Sequence, residues 1–430
     1  MRVLAAVAAA LALAGPASAA TFVIHGRGWG HGVGMSQWGA EGYALHGWSY
    51  RQILAHYYPG TTLQRERGVT VRVLVATGRR AVTIGSKQPF RVTDGRGRSR
   101  VVPAGRRRIV RGPFPLRFVA GAAVLSLDGA GYRGSLVVYG PRGRLQVVNE
   151  LPLERYIRGV VAWEVPHRWA AAALAAQAVA ARTYALATLQ HDRPFDLYAD
   201  TRDQVYGGIR AETPETDRAV GATAGQVLTW DGRPALTYYF STSGGRTAAA
   251  HDSLPWAPQV PYLRSVPDPY DSLSPHHIWG PYRFPAKRLA RLLHVAAVRK
   301  ISLVRAPSGR VLRVTVRWRG GAASFGGRDF QHDLGLPSSW FAIGGARAIR
   351  MGTHGHTHVY TSTLPRLHGW IVVVASVPVG DGRPKGHVLR SDDYSGLAPG
   401  YWVVYRGPYA SAAAAQAHAG GGAYVKSLSG

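Results

Sequence analysis

The pattern of the chain is that of an α+β protein, with two central helices packed on antiparallel strands. Between residues 69 and 148, short β-branched runs alternate with Gly/Arg turns, which is how antiparallel strands read. Between residues 151 and 191, apolar residues recur at helical spacing. After Thr201, short strand-like runs return.

Taken in order, residues 22–62 hold a Gly- and Trp-rich stretch and then a short helical pattern ending at Tyr57-Tyr58-Pro59-Gly60. The strand runs are Val69–Ala76, Ala81–Ile84, Arg108–Arg111, Ala122–Leu127, Ser135–Val138 and Leu145–Val148. Leu153, Ile157, Val160, Val161 and Glu164 then share one helical face. Pro166 ends that helix, because proline disfavours helical geometry in the residue before it. A second helix is expected from about Ala170 to Leu189. Its many alanines favour helix and let neighbours approach closely. Strands are expected at Thr237–Thr242 and Val311–Val316. Residues 361–368 read as a linker. Residues 369–430 follow as strand, loop, two strands, helix and strand, about the smallest size that folds alone.

The first 19 residues read as a signal peptide. Arg2 is a positive start, Val3 to Leu13 an apolar run, and Ala17-Ser18-Ala19 a small-residue cleavage site. A secreted protein is therefore expected, with no membrane span after cleavage. The 430-residue chain has no cysteine, which excludes a Cys-ligated zinc and a thiol nucleophile. Its net charge is +29, nearly all from arginine, since only five lysines are present. Such a chain is drawn to polyanions, here wall phosphodiesters or anionic lipid rather than nucleic acid.

Glu164 is the candidate for chemistry. It lies beside Trp163 on an apolar helical face, at the last helical position before Val165-Pro166. Apolar surroundings and the negative end of the helix dipole both disfavour the carboxylate, so both raise its pKa. A carboxyl still protonated near neutrality can act as general acid on a glycosidic oxygen. The alternative is a surface glutamate interacting with His167 or Arg168.

Several motifs resemble the SpoIID/LytB family. LPLERYIRGVVAWEVPHRWAAAALAAQAVAARTYAL is similar to its central helical signature. DQVYGG, YYFSTSGGRT, PYLRSV and SFGGRDFQHDLGLPSSWF resemble downstream signatures in their usual order. GWGHGVGMSQWGAEGYALHGWSYRQILAHYYPGT resembles another, often found near the C-terminal end of the domain but here at the N-terminal end. On this resemblance, residues 20–360 form the SpoIID/LytB-like domain. It implies lytic transglycosylase activity on peptidoglycan glycan stripped of stem peptides, with Glu164 as the catalytic glutamate and Arg182 as the matching second-helix arginine. The muramic acid C6 hydroxyl would be the nucleophile, so one carboxylate suffices. A hydrolase would usually need a second, and Glu150, Glu154, Asp200 and Asp203 are the candidates. The family name also implies a different reading, a non-catalytic enhancer of a cell-wall amidase. A basic polyanion-binding envelope protein is the third.

Substrate contacts are expected from Arg182 and Gln177 on the second helix, Arg182 being otherwise a structural ion pair. Ser241, Ser243 and Gly244 form either a sugar-binding loop or a tight turn. Gln204 and Tyr206 face sugar, unless Tyr206 is core. His31 and Gln37 of the glycine-rich stretch line the cleft. His354, His356 and His358 alternate as zinc ligands would on a strand, but read better as solvated; no metal or cofactor is expected. The run VLRSDDYSGLAPGYWVVYRGPYASAAAAQAHA resembles SPOR-like domains, which implies that residues 369–430 bind glycan. Tyr401, Trp402 and Tyr405 offer flat faces for sugars. VPVGDGRPKG replaces the usual first helix.

Overall fold

The computed structural model describes residues 20–350, apart from 142–143, 255–256 and 345–346. It then describes 369–378, 388–390, 401–409, 411–418 and 424–428. The segments expected to be a signal peptide and a linker, and the three alternating histidines, lie outside the described residues.

Four helices frame the site: α1 (Gln37–Leu45), α2 (Tyr50–Tyr57), α3 (Leu153–Glu164) and α4 (Ala171–Thr188). The last two are the expected central pair. Strand Leu145–Pro152 runs directly into α3. Tyr156, Ile157, Val160 and Val161 bury the inner face of α3 against Val71, Val73 and Leu151 of the sheet and Leu174, Ala178 and Ala181 of α4. The opposite side of α4, through Ala176, Val179 and Ala180, packs on Met35, Ile53, Leu54, Tyr57 and Tyr58. A helix apolar on all sides is a buried helix, and alanine keeps α4 thin enough to lie between two cores.

Nothing in the side chain of Ala170 caps α4. The cap comes from α1 instead, where a Glu41 oxygen accepts the Ala170 N–H at 2.9 Å. A carboxylate at a helix N-terminus meets its unpaired N–H groups and its positive dipole end. Burial pushes the Glu41 pKa up, and this bond partly offsets the effect.

Residues 70–152 form two packed sheets. The larger has the order Leu197–Tyr198, Thr70–Arg79, Leu145–Pro152, Ser135–Tyr139, Leu116–Val119, Phe90–Thr93, Ser99–Val102. The smaller runs Ala130–Tyr132, Leu125–Leu127, Thr83–Ser86, Arg107–Ile109. Ile84, Phe90, Val92, Phe118, Leu125 and Leu136 share the core between them. All six expected strand runs are present, with shifted ends. Phe90–Thr93, Ser99–Val102, Leu116–Val119 and Ala130–Tyr132 are additional. Pairing is mostly antiparallel, but not wholly as expected: Leu197–Tyr198 joins its neighbour in parallel, as do Lys300–Arg305 and Arg347–Arg350.

The N-terminal strand Thr21–Arg27 lies between Ile278–Pro285 and Phe341–Ile343, antiparallel to both. The glycine-rich stretch follows, and Gly34 shows why glycine is needed there. Its φ is +77°, and a Cβ would lie 2.0 Å from the Tyr238 carbonyl oxygen. That close approach lets Met35–Ser36 pair in parallel with Tyr239–Phe240. The strand expected over Thr237–Thr242 is thus only the two residues Tyr239–Phe240. Ser36 next caps α1, accepting the Gly39 N–H at 3.1 Å.

Among the described C-terminal residues the order is strand Gly369–Pro378, strand Val388–Arg390, strand Tyr401–Tyr409, helix Ala412–Ala417 and strand Tyr424–Leu428. The strands form one antiparallel sheet with Tyr401–Tyr409 and Gly369–Pro378 at its centre. Ile371, Val373, Val403 and Ala415 are buried.

Candidate active site

Glu164 is the last residue of α3, and Val165 turns extended (φ −139°, ψ 150°) ahead of Pro166. The half-buried carboxylate is met by three distant segments. The Val205 N–H donates to it at 3.3 Å. The Tyr239 hydroxyl and the Gln37 side chain also hydrogen-bond to it. Burial pushes the Glu164 pKa up, and these bonds to the charged form offset part of that rise. The α3 C-terminus disfavours the negative charge further.

A second layer fixes these donors. Gln204 Nε2 donates to the Tyr239 hydroxyl at 2.8 Å and to the Ala181 carbonyl at 3.2 Å, while Gln204 Oε1 accepts from Tyr156 at 3.2 Å. With its oxygen receiving the Gln204 N–H, the Tyr239 hydroxyl turns its own proton to Glu164. Burial holds the phenols of Tyr156, Tyr184 and Tyr239 neutral, far above their usual range.

His31 acts from the other side of Tyr239. Its Nδ1 accepts the Val33 N–H at 3.1 Å, so the proton sits on Nε2 and is donated to the Tyr239 carbonyl at 3.1 Å. Burial, then the charges of Arg328 and Arg310, push its pKa down to about 3. His31 is therefore a neutral brace for the backbone of Tyr239.

Of the expected contacts, Gln37, Gln204 and His31 converge on Glu164, the last two through Tyr239. Others do not. Arg182 gives every donor away from Glu164: Nε and Nη2 to Glu154 at 2.7 and 2.8 Å, Nη1 to the Ala178 and Gln226 carbonyls, and Nη2 also to the Val220 carbonyl. The ion-pair reading is the one its geometry fits. Tyr206 is buried, with its ring against Gly159 and its hydroxyl on Asn149 Oδ1 at 2.8 Å, a core position. Ser243 and Gly244 form the tight turn, because Asp271 Oδ2 accepts both the Ser243 hydroxyl at 2.9 Å and the Gly244 N–H at 2.6 Å. Ser241 lies closer to the site: its carbonyl accepts the Trp38 N–H at 3.0 Å, one residue on from Gln37. Gln177 is buried in α4 with no hydrogen-bond partner at either polar atom among the described residues.

Three of the four candidate second carboxylates are ion-paired: Glu150 with Arg117, Glu154 with Arg182 and Asp200 with Arg202. Asp203 instead accepts the Tyr198 N–H at 2.8 Å, and burial pushes it up to about 7. No cluster of three or more His, Asp or Glu side chains placed to hold a metal exists among the described residues.

The sequence reading missed Tyr239, Tyr156 and Tyr184, and the aromatic rim. Trp163 is 57% exposed, with its ring over Gly207, where a Cβ would sit 1.7 Å from the indole nitrogen. Trp38 and Trp169 meet edge to face at 5.0 Å. These two are half-buried, so the exposed indole of Trp163 is the one beside the raised-pKa carboxyl that suits a sugar face. The run YYFSTSGG did contain Tyr239; its hydrophobic neighbours made it read as strand.

Residues 141–230 match the family model described as Stage II sporulation protein, SpoIID. The chain carries a SpoIID-family segment. That segment holds α3, α4, Glu164 and Gln204. Beyond it, the chain is 32% identical over 233 residues to Stage II sporulation protein D of Bacillus amyloliquefaciens, covering 49% of this chain and 66% of that one. The Bacillus subtilis protein of the same name is 31% identical over 228 residues, 48% of this chain and 64% of that protein. Similarity also extends to the Amidase enhancer of Bacillus subtilis, 37% identical over 115 residues, 27% of this chain and 15% of that one. The chain thus spans less than two thirds of the length of these curated relatives. No helix among the described residues is long and apolar enough to cross a membrane.

Proposed function

We propose that the protein is an extracytoplasmic cell-wall enzyme, a lytic transglycosylase that cuts the bond between N-acetylmuramic acid and N-acetylglucosamine in glycan strands. One observation carries this reading. A half-buried carboxyl with a raised pKa stands at a helix end, held by Gln37, Tyr239 and the Val205 N–H, beside exposed Trp163.

In this reading, Glu164 enters protonated and gives its proton to the glycosidic oxygen as the bond to muramic C1 breaks. The carboxylate that remains is stabilised by its three hydrogen bonds. It then takes the proton from the muramic C6 hydroxyl as that oxygen bonds to C1. The 1,6-anhydro ring closes and Glu164 is protonated again, so one carboxyl serves both steps. Burial keeps the acid form available, while the hydrogen bonds keep the base form within reach.

SpoIID-family similarity and the sporulation names of the relatives support a cell-wall role. The C-terminal sheet serves, in this proposal, as a SPOR-like glycan-binding domain over residues 369–430, behind a SpoIID-like domain over 20–360. A second reading, enhancement of a partner amidase without catalysis, is favoured by similarity to the Amidase enhancer. Purified protein incubated with denuded glycan strands and no amidase separates the two. Anhydro-muramic products by mass spectrometry are expected from the enzyme, whereas intact strands would support the enhancer.

A further inference from the structure

We propose that the outer rim of the β-sandwich, residues 79–111, is a binding surface for a linear phosphodiester polyanion. Of these 33 residues, eleven are Arg or Lys, and one, Asp94, is a carboxylate. The rim lies apart from the Glu164 site and is independent of the activity proposed there.

The fold concentrates this charge. Arg91 and Arg100 lie on the hairpin strands Phe90–Thr93 and Ser99–Val102, with Arg96 and Arg98 in the turn between them. The chain then passes through residues 103–106 into strand Arg107–Ile109. Ser99–Val102 ends the larger sheet and Arg107–Ile109 ends the smaller one. Two sheet edges, consecutive in sequence, therefore carry one arginine-rich rim.

That charge is not neutralised within the molecule. Asp94 pairs with Arg98 at 2.9 Å, and no other ion pair involves this set among the described residues. Ten of the eleven basic side chains are exposed, and Arg108 is partly so. Uncompensated like charges at this density repel one another, and a bound polyanion relieves the repulsion while releasing its counterions.

The composition selects the kind of polyanion. The one aromatic in residues 79–111 is Phe90, which is buried. The rim thus offers no ring to stack on bases, as single-stranded nucleic acid recognition requires. It offers no aromatic wedge for a lipid interface either, and its exposed large apolar side chains are two, Val101 and Ile109, each next to an arginine in the chain rather than forming an apolar face. Guanidinium groups are left to pair with phosphate oxygens, which fits a chain of phosphodiesters with small, unstacked linkers.

The test uses the full-length protein and poly(glycerol phosphate) as probe, with affinity measured across a salt series. One variant carries Arg91→Gln, Arg96→Gln, Arg100→Gln and Arg107→Gln. A control carries Arg264→Gln, Arg283→Gln, Arg291→Gln and Arg299→Gln, the same charge change at exposed positions elsewhere. The rim variant should keep its thermal midpoint, lose at least about tenfold in affinity, and show a salt slope smaller by about one for each phosphate-contacting arginine removed. The control should bind like the parent. Equal losses in both variants would overturn the proposal in favour of diffuse charge. Tighter binding to phosphatidylglycerol vesicles or to a single-stranded oligonucleotide than to the probe would overturn its choice of partner.

Discussion

At position 164 two opposing influences act on one proton. Burial favours the acid, and three hydrogen bonds favour the carboxylate. Removing a donor to the charged form must raise the pKa further. Tyr239→Phe and Gln37→Leu are therefore each expected to move the alkaline limb of the pH–rate profile to higher pH, because the acid form then persists longer. A limb that stays in place or moves down would remove those residues from the site. Trp163 tests the rim: Trp163→Ala should raise KM for glycan several-fold to about tenfold, in line with loss of one stacking platform, with kcat little changed. Glu164 was legible in the sequence because its motif is local, a carboxyl before a helix-ending proline, and Gln37 because its glycine-rich stretch resembles a family motif. Tyr239 was not, because what it does depends on a partner 75 positions away along the chain.

The elements explain why the site is rigid. α4 is buried on all sides by virtue of its alanines, so added bulk has nowhere to go. Ala178→Leu is expected to destabilise by about 1–3 kcal/mol, read as a lower denaturation midpoint. Arg182 bolts α4 to the start of α3 through Glu154 and to three backbone carbonyls. Arg182→Met should cost roughly 3 kcal/mol while leaving the alkaline limb where it is; a shifted limb would return Arg182 to the catalytic site. α3 and α4 were legible from periodicity and Pro166. α1 was not, since its Gly39 and Gly42 weaken the helical pattern. Both are required there, because a Cβ at Gly42 would fall 2.2 Å from the Tyr270 carbonyl and one at Gly39 2.1 Å from the Tyr57 hydroxyl. The short strands at 90–93 and 99–102 were hidden by their length, four residues each, too few for a pattern to stand out among the surrounding Gly/Arg turns.

For the whole molecule, the N-terminal stretch and residues 238–274 close on each other through the parallel pair Met35–Ser36 and Tyr239–Phe240. Behind this seam lies a buried carboxylate pair. Tyr57 donates to Asp268 Oδ1 at 2.8 Å, and His277 Nδ1 donates to Asp271 Oδ1 at 2.7 Å. Burial first, then the charge of Asp271, pushes Asp268 up to about 7. The folded protein therefore binds this proton more tightly than the unfolded chain does. The stability that it confers is full below the unfolded carboxylate range and is lost as pH rises toward about 7. His31, pushed down to about 3, acts in the opposite sense and weakens the fold as pH falls below the ordinary histidine range. Asp268→Asn isolates the first effect: its denaturation midpoint should fall less between pH 5 and pH 8 than that of the parent. An unchanged difference would show that Asp268 does not carry that proton.

The role of Glu164 is tested most directly by Glu164→Gln, a neutral replacement of nearly equal shape. Denuded glycan strands are digested with parent and variant, and anhydro-muramic ends are counted by mass spectrometry. The variant should remain folded, with a thermal midpoint no lower than the parent, since a buried ionisable group is gone. It should release anhydro ends at least about a hundredfold more slowly. Equal release by a folded variant would contradict the assignment of the proton donor.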